Sequence, residues 1–376
     1  MRELFVLFLR IGVTAFGGPA AHIAVMKHEV VDRLNWMSED EFLDLLSATN
    51  LIPGPNSTEM AIHIGLHRAG LRGLLVAGAA FILPAVFMVA ALARAYQSYG
   101  SLPQIASLLY AVKPVMIAII LQAIVGLAGK ARRLPLLALL CLILALWGVD
   151  ELLLLFGAGA WMGLRRWWTG AVSVLSLCRL TLVSLAFITL PNALTAMQGA
   201  GPVPFGMAPL FLFFLKVGAT LYGSGYVLLA FLRSTLVEQW GWLSAGQLLD
   251  AIAVGQVTPG PVFTTATFVG YLLGGPTAAA LATVAIFLPS FFWVALSGPW
   301  IPRLRSWPLA SAFLDGVNVA SLALMAAVTV QLVRTSISDG ATFVIAIASL
   351  ALLVKTRINA TWLIGAAACF GLIQAL

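Results

Sequence analysis

The chain contains the same proline-glycine-proline break twice, as Pro53-Gly54-Pro55 and as Pro259-Gly260-Pro261. The two breaks are 206 residues apart, and each interrupts an otherwise apolar segment. Proline lacks a backbone N–H and fixes φ, and glycine weakens helical order further, so neither segment can form one continuous helix. Two broken helices in register indicate a duplicated architecture rather than one local kink.

The duplication extends through most of the chain. At the same offset of 206 the matching pairs are Arg10 with Lys216, Gly12 with Gly218, Thr14 with Thr220, Gly17 with Gly223, Trp36 with Trp242, Ser38 with Ser244, and Asp44 with Asp250. After a deletion of one residue in the second copy, Leu83-Pro84 matches Leu288-Pro289. This pattern indicates an internal repeat. We predict an N-terminal repeat over residues 1–168, a linker over 169–207 and a C-terminal repeat over 208–376.

The composition assigns both repeats to a membrane. Hydrophobic residues make up 61% of the chain and charged residues only 9%, against roughly 25% charged in a soluble domain. We therefore predict an all-α, polytopic membrane protein with about six spans per repeat and one further span, residues 180–197, in the linker. The runs 134–147, 152–164, 341–354 and 360–376 are shorter than the roughly 20 residues that a crossing helix needs. They are either short tilted spans or hairpins that dip into the bilayer.

The net charge of +7 indicates how the chain is oriented in the membrane, because the basic residues cluster in short gaps between apolar runs. With the N-terminus in the cytoplasm, the first repeat has eight basic residues in its inside loops and three outside. The second repeat shows the opposite bias, so the positive-inside rule predicts that it is inverted. One linker span permits that inversion. Inverted repeats with broken helices are typical of secondary transporters.

Two intramembrane cations and two glycine-rich turns suggest an anion site. Arg10 and Lys216 lie within their spans, where a cation is costly and usually serves a pathway or a partner. Snorkelling to the interface is the structural alternative. The turns Gly17-Gly18-Pro19 and Gly223-Ser224-Gly225 follow them, and glycine lets an anion approach backbone N–H groups at the positive end of the next helix. A tight helix crossing would also explain these glycines.

Neutral polar residues accompany both proline-glycine-proline breaks. Asn56, Ser57 and Thr58 follow the first break, and Thr264 and Thr265 follow the second. These side chains can cap the next half-helix, contact a substrate, or do both. The predicted substrate-binding residues are therefore Arg10, Gly17, Gly18, Pro19, Pro53, Gly54, Pro55, Asn56, Thr58, Lys216, Gly223, Ser224, Gly225, Pro259, Gly260, Pro261 and Thr264.

Five further residues are candidates for proton or charge coupling. Glu59 and His63 lie four residues apart on one helical face, where they could relay protons or form a structural hydrogen bond. Asp44 and Asp250 are a symmetric acidic pair that we expect to bind cations, with Arg10 and Lys216 as candidates. Lys113, beside Pro114, is another intramembrane charge.

The sequence contains no motif that is typical of an enzyme. The chain has no Ser/His/Asp set, HExxH or Walker motif, so we predict no catalytic residue, metal site, cofactor or direct use of ATP.

Several of these segments resemble one known family. Phe16-Gly17-Gly18-Pro19-Ala20-Ala21-His22, the stretch from Asn50 to Glu59, Gly223-Ser224-Gly225-Tyr226 and Thr258-Pro259-Gly260-Pro261 are similar to signature segments of the chromate ion transporter family. The resemblance covers essentially the whole chain, as a long, two-domain member.

The resemblance implies export of chromate, a sulfate-like oxyanion, across the bacterial cytoplasmic (inner) membrane. The drive would be the membrane potential or the proton gradient, and the result chromate resistance. A transporter for sulfate or another oxyanion and a passive channel stay open as alternatives. The expected partners are the oxyanion and the lipid bilayer, with no nucleic acid, and a homodimer is left open.

Overall fold

A computed structural model describes residues 1–15, 18–49, 52–100, 102–128, 134–168, 203–222, 227–297, 308–356, 358 and 360–374. These residues form fourteen α-helices and no strand. The predicted linker span, residues 180–197, lies outside the described residues, and so do the predicted site residues Gly17, Gly223, Ser224 and Gly225.

Seven helices belong to each copy. The first copy contains α1 Arg2–Thr14, α2 Gly18–Lys27, α3 Glu39–Thr49, α4 Asn56–Tyr99, α5 Pro103–Leu127, α6 Pro135–Leu146 and α7 Glu151–Trp168. The second contains α8 Met207–Thr220, α9 Leu228–Phe231, α10 Ala245–Val257, α11 Thr265–Ser297, α12 Pro308–Ser336, α13 Gly340–Lys355 and α14 Ala360–Gln374. A π-helical turn follows α2 (His28–Arg33) and α9 (Leu232–Gln239), and a 3₁₀ turn, Val262–Thr264, precedes α11.

The proline-glycine-proline breaks lie where the sequence predicts them. The first separates α3 from α4, and the second separates α10 from the 3₁₀ turn and α11. Local hydrogen bonds repeat as well, because Thr14 and Thr220 each donate a hydroxyl hydrogen bond to the carbonyl four residues earlier, at 2.8 and 2.7 Å. The duplication is therefore visible in the backbone and in its immediate side-chain contacts.

A capping box starts the helix ahead of each break. Ser38 N–H donates to Glu41 Oε2 at 2.7 Å, and Glu41 N–H donates back to Ser38 Oγ at 3.2 Å. In the second copy, Ser244 N–H donates to Gln247 Oε1 at 2.9 Å, and Gln247 N–H donates to Ser244 Oγ at 3.1 Å. The two boxes have the same geometry, but only the first contains an ionisable group.

The long helices α4 and α11 both fold back on themselves. The reversals fall at Ala69-Gly70 and Gly274-Gly275, with φ/ψ of 60/−152° at Gly70 and 71/−160° at Gly275. These positions are 205 residues apart, whereas the breaks are 206 apart. The 3₁₀ turn Val262–Thr264 accounts for the difference, because three 3₁₀ residues advance about 6 Å, as four α-helical residues do. The deletion that the sequence reveals therefore lies in the first turn after the break.

The two copies exchange their last two helices. Within each copy α1 packs on α4 and α8 on α11, and α4 and α11 contact one another across the copies. However, α6 and α7 pack on α12 of the second copy, while α13 and α14 pack on α5 of the first. Backbones come close at these crossings, where a Cβ on Gly316 would lie 2.2 Å from the Ala158 carbonyl oxygen. The copies are interlocked rather than joined end to end.

Four of the described helical segments are long and apolar enough to cross a membrane: Asn56–Tyr99, Ser107–Val125, Val262–Ser297 and Leu309–Arg334. Shorter apolar helices include Pro135–Leu146, Met207–Thr220 and Gly340–Lys355. The predicted short runs are therefore helical. The chain is a multi-pass membrane protein.

Candidate functional site

A reciprocal pair of backbone hydrogen bonds joins the helix breaks of the two copies. Gly54 N–H donates to the Leu221 carbonyl at 2.8 Å, and Gly260 N–H donates to the Ala15 carbonyl at 3.2 Å. Ala15 and Leu221 are matching residues, directly after α1 and α8. Each proline-glycine-proline break is thus held by the broken-helix end of the other copy. An approximate twofold relation between the copies produces such an exchange.

Both break glycines have backbone conformations that favour glycine. The φ angles are +140° at Gly54 and +96° at Gly260. A Cβ on Gly54 would lie 2.2 Å from Glu59 Oε1 and 2.6 Å from Ser290 Oγ, and a Cβ on Gly260 would lie 2.8 Å from Ala85 Cβ. Glycine accepts the positive φ and leaves room for these neighbours.

His22 brings the start of α2 beside the start of α4. Its Nε2 donates to the Ala15 carbonyl at 3.0 Å, and its Nδ1 lies 3.3 Å from the Ser57 hydroxyl, which donates to it. The first turn of a helix leaves N–H groups without intrahelical partners and is the positive end of the helix dipole. Two such ends therefore adjoin the same break, and Gly18, at the start of α2, has open space around its Cα.

The predicted site residues do not include His22, and Ser57 was considered only as a polar neighbour of the first break. The available signal was the position of each residue within the first turns after a break, together with the low number of histidines in the chain.

Unsatisfied polar side chains surround the first break. Thr58, Glu59 and His63 are buried, and Thr58 Oγ1, both Glu59 carboxyl oxygens and His63 Nε2 have no hydrogen-bond partner among the described residues. The same holds for the hydroxyl of Ser290, which reaches this break from the second copy. The hydrogen bond that Glu59 and His63 could have formed with each other is absent from this described part of the chain.

At the second break, by contrast, two polar side chains have hydrogen-bond partners. Thr264 Oγ1 donates to the Pro261 carbonyl and Thr265 Oγ1 to the Val262 carbonyl, both at 2.8 Å. These two threonines lie in the part of the second copy that corresponds to the position of Glu59 in the first. Their hydroxyls are satisfied by the local backbone, so this turn is self-contained.

The predicted cations have acidic partners that the sequence did not identify. Arg10 Nη2 lies 2.5 Å from Glu29 Oε2, and Arg33 Nη2 contacts the same oxygen at 2.6 Å. The Arg10 side chain is 50% exposed, so it lies towards the periphery of the described bundle. Lys216 is under the electrostatic influence of Asp150 and Glu151, at the start of α7.

The two matching acidic residues, Asp44 and Asp250, have different surroundings. Asp250 does bind a cation, but the expectation that this cation is Arg10 or Lys216 is wrong: Lys113 Nζ lies 3.2 Å from Asp250 Oδ1. Tyr96 donates its hydroxyl to Asp250 Oδ2 at 2.8 Å. This ion pair connects α5 of the first copy to α10 of the second. Asp44, its counterpart, is partly buried on α3.

The remaining predicted residues differ in burial. Pro53, Pro55, Pro259 and Pro261 are buried at the breaks, whereas Pro19 and Asn56 are partly exposed.

A duplicated bundle of apolar helices, whose broken segments meet between the copies, is the architecture of membrane transporters. Comparison with known proteins identifies the transporter family. The sequence profile of the chromate transporter family matches residues 2–164 and 208–372. The chain belongs to the chromate transporter family, and its members are transporters rather than enzymes.

Individual relatives match over nearly the full length. A chromate transport protein of Cupriavidus metallidurans is 31% identical over 99% of this chain and 93% of its own. A probable chromate transport protein of Synechococcus elongatus is 32% identical over 93% of this chain and 89% of its own. A chromate transport protein of Pseudomonas aeruginosa is 31% identical, with 89% and 81% covered. No solved structure matches the chain.

Proposed function

We propose that this protein is a secondary transporter that exports chromate, or a closely similar oxyanion, across the bacterial cytoplasmic membrane and so confers chromate resistance. The membrane potential or the proton gradient would drive it. The observation that carries the proposal is the reciprocal hydrogen bonding of Gly54 to Leu221 and of Gly260 to Ala15. Transporters built from inverted repeats bind their substrate where broken helices of the two copies meet. The names of the full-length relatives support chromate as the substrate.

The site can compensate an oxyanion mainly through its backbone. The starts of α2 and α4 offer N–H groups with positive dipole ends, and these suit a tetrahedral anion. In this proposal Gly18, Pro19, Asn56, Thr58 and the first break bind the oxyanion from the first copy, and Thr264 with the second break binds it from the second copy. The substrate-binding roles of Gly17, Gly223, Ser224 and Gly225 stay predictions from the sequence.

Arg10 and Lys216 would guide the anion along the pathway. Arg10 is paired with Glu29, and Lys216 is under the electrostatic influence of Asp150 and Glu151. A dianion could compete with these carboxylates for the same cations.

The proposal includes inverted repeats, with the boundaries 1–168, 169–207 and 208–376. The approximate twofold exchange of contacts and the opposite charge bias of the two copies support it. Reporter fusions at the matching reversals, residues 70 and 275, test the inversion directly. We expect residue 70 in the cytoplasm and residue 275 on the opposite side, and reporters on the same side would contradict the inverted arrangement.

Radiolabelled chromate uptake into everted membrane vesicles tests the transport function. A transporter should give saturable uptake that accumulates chromate against its gradient and depends on the membrane potential or the proton gradient. Flux that never saturates and runs only downhill would instead identify a passive channel. Unlabelled sulfate as competitor shows whether the site accepts sulfate. No chromate flux above that of vesicles lacking the protein would overturn the proposal.

A further inference from the structure

Glu59 differs from the other buried carboxyl groups of the described chain. Asp250 is 3% exposed and has Lys113 and Tyr96 as partners, and Glu29 is 9% exposed and has Arg10 and Arg33. Glu59 is 0% exposed, and neither of its carboxyl oxygens has a hydrogen-bond partner among the described residues. No described Lys, Arg or His forms an ion pair with it.

The elements packed around Glu59 offer no compensating charge. Its carboxyl group lies against Gly54, beside the unpartnered hydroxyl of Ser290 from α11. From residue 265 to residue 297, α11 contains no Asp, Glu, Lys, Arg or His. His63 lies one turn further along α4, and the other elements around the break carry Tyr222 after α8, His22 on α2, Asp44 on α3, Arg10 on α1 and Asp250 on α10. Arg10 and Asp250 are engaged with Glu29 and Lys113.

A fully buried carboxylate without a cation or a hydrogen-bond donor is strongly destabilising, whereas the neutral acid is tolerated. The carboxyl group also lies at a contact between the two copies, the surface that must separate when a transporter of this construction exposes its site to the other side. Separation of Gly54 from Ser290 would admit water to Glu59 and let it exchange a proton.

We propose that Glu59 is a proton-binding site, and that one proton binds at Glu59 together with each oxyanion. This inference rests on the proposed function and names its coupling ion. The step is an acid–base equilibrium, in which the carboxylate takes one proton from water and becomes the neutral acid, and no other bond changes.

Electrostatics fixes the sign of the coupling. Glu59 lies in the first turn of α4, the same turn that offers its N–H groups to the oxyanion, so a charged Glu59 would repel that anion and a protonated one would not. Linkage is reciprocal: if protonation favours anion binding, then anion binding favours protonation by the same factor. Proton and oxyanion therefore move in the same direction. A chromate dianion with one proton carries a net charge of −1, so the membrane potential, negative inside, drives its export, and an inward proton gradient opposes it.

Titration calorimetry of chromate binding to the purified full-length protein in detergent tests the proposal. Measurements above the pH at which chromate-free Glu59 releases its proton, in buffers of different ionisation enthalpy, give the number of protons taken up per chromate bound. We expect close to one proton for the unmodified protein and close to zero for Glu59→Gln, which mimics the neutral acid. The Glu59→Gln variant should bind chromate with an affinity that does not fall as the pH rises.

Two matched variants locate the proton. Thr265→Val alters one of the two threonines that replace Glu59 in the second copy, and it should still take up one proton. His63→Asn leaves Glu59 in place and should also retain the uptake. If uptake disappears in His63→Asn but persists in Glu59→Gln, the proton binds at His63 and the proposal is overturned. Even if Glu59→Gln fails to fold, loss of proton uptake in a folded His63→Asn variant would overturn the proposal, because that variant retains Glu59.

The outcomes separate this inference from the proposed function. Chromate binding without proton uptake in the unmodified protein would overturn the proton site and leave chromate transport standing. Proton uptake that persists in Glu59→Gln would show that another group, including chromate itself, carries the proton. No chromate binding to the folded, unmodified protein would overturn the proposed function, and this inference with it.

Discussion

At the first break the side chains that crowd Gly54 are Glu59 and Ser290, whereas at the second break the side chain that crowds Gly260 is Ala85. Ser290 and Ala85 are matching residues, and the amides of both glycines donate to matching carbonyls of the opposite copy. The backbone contacts have thus stayed the same in both copies while the side chains have diverged.

The difference shows which features the architecture needs and which it leaves free. Both breaks must satisfy a backbone amide inside the protein, because a buried N–H without a partner is costly. Once that bond is made, side chains around the break can vary. The first copy has acquired ionisable and hydroxyl groups, and the second has threonines that bond only to their own turn. We infer that ionisable side chains act at the first break, and that the second break mainly has a structural role.

The largest expected effect comes from a β-branched residue at a break. In Gly54→Val, the new side chain meets the Glu59 carboxyl group and Ser290, and a positive φ adds strain of about 1–3 kcal/mol. We expect chromate flux into everted vesicles to fall at least roughly tenfold, since about 1.4 kcal/mol corresponds to a factor of ten. Gly260→Val should have a smaller effect, because it meets mainly the Ala85 methyl group.

Gly157→Ala is the matched control for these variants, because Gly157 has a negative φ and open space around it. It should transport normally. Wild-type flux in Gly54→Val at equal protein level would show that the first break is only a structural kink, and would remove the contrast between the two breaks.

The cross-copy ion pair gives the next largest effect. Lys113→Met leaves Asp250 buried with only Tyr96, and removal of one partner of a buried pair destabilises by about 3–5 kcal/mol. We expect a marked drop in the thermal unfolding temperature in detergent, with partial recovery in the double variant Lys113→Met with Asp250→Asn. Asn318 occupies the position of Lys113 in the second copy. Asn318→Ala should change stability much less, and an equal loss in both variants would show that this difference between the copies has no energetic meaning.

The intramembrane cations should differ in a graded way. Lys216→Gln removes a positive charge from beside Asp150 and Glu151, whereas Arg10→Gln leaves Arg33 paired with Glu29. Because Arg33 keeps a positive charge beside Glu29, we expect flux to fall roughly tenfold, equivalent to about 1.4 kcal/mol, in Lys216→Gln and less in Arg10→Gln. Arg10→Lys should rescue only in part, because lysine lacks the planar donor fork.

Protein level in the membrane controls for misfolding in the cation variants. If both glutamine variants reach the membrane and transport with unchanged rate and apparent affinity, these cations are structural, and the anion pathway should be sought around Lys113.

The smallest effect concerns the two capping boxes. Ser244→Ala should destabilise by about 1 kcal/mol at any pH, because Gln247 does not titrate. In the first box, hydrogen bonds from the Ser38 N–H and hydroxyl lower the pKa of Glu41. This contribution is complete above the unfolded value of roughly 4.3 and is lost as the pH falls through the lower folded value.

Unfolding of Glu41→Gln and the unmodified protein, compared between pH 7 and the acid range, measures that loss. Glu41→Gln should abolish this part of the acid sensitivity. A stability difference that does not change with pH would show that Glu41 acts only as a neutral hydrogen-bond acceptor.

The sequence predicted the backbone of the site better than its side-chain partners. Proline and glycine act locally, so Pro53-Gly54-Pro55 and its copy disclosed both breaks, and the offset of 206 disclosed the duplication. The pairing of Lys113 with Asp250 was not predictable, because it depends on how α5 packs against α10, two elements more than a hundred residues apart. Glu29 was overlooked for a similar reason, since it follows α2 in a π-helical turn that no local pattern announces.

The exchange of terminal helices between the copies has a consequence for biosynthesis. The α5 helix is synthesised early, whereas its partner α14 begins only at Ala360. More than two hundred residues are therefore synthesised between the end of α5 and the start of α14. At about 5–20 residues per second, α5 waits on the order of 10–50 s for this partner. During that interval α5 lacks its contact with α14. The packing of the first copy is therefore completed only after nearly the whole second copy has been made.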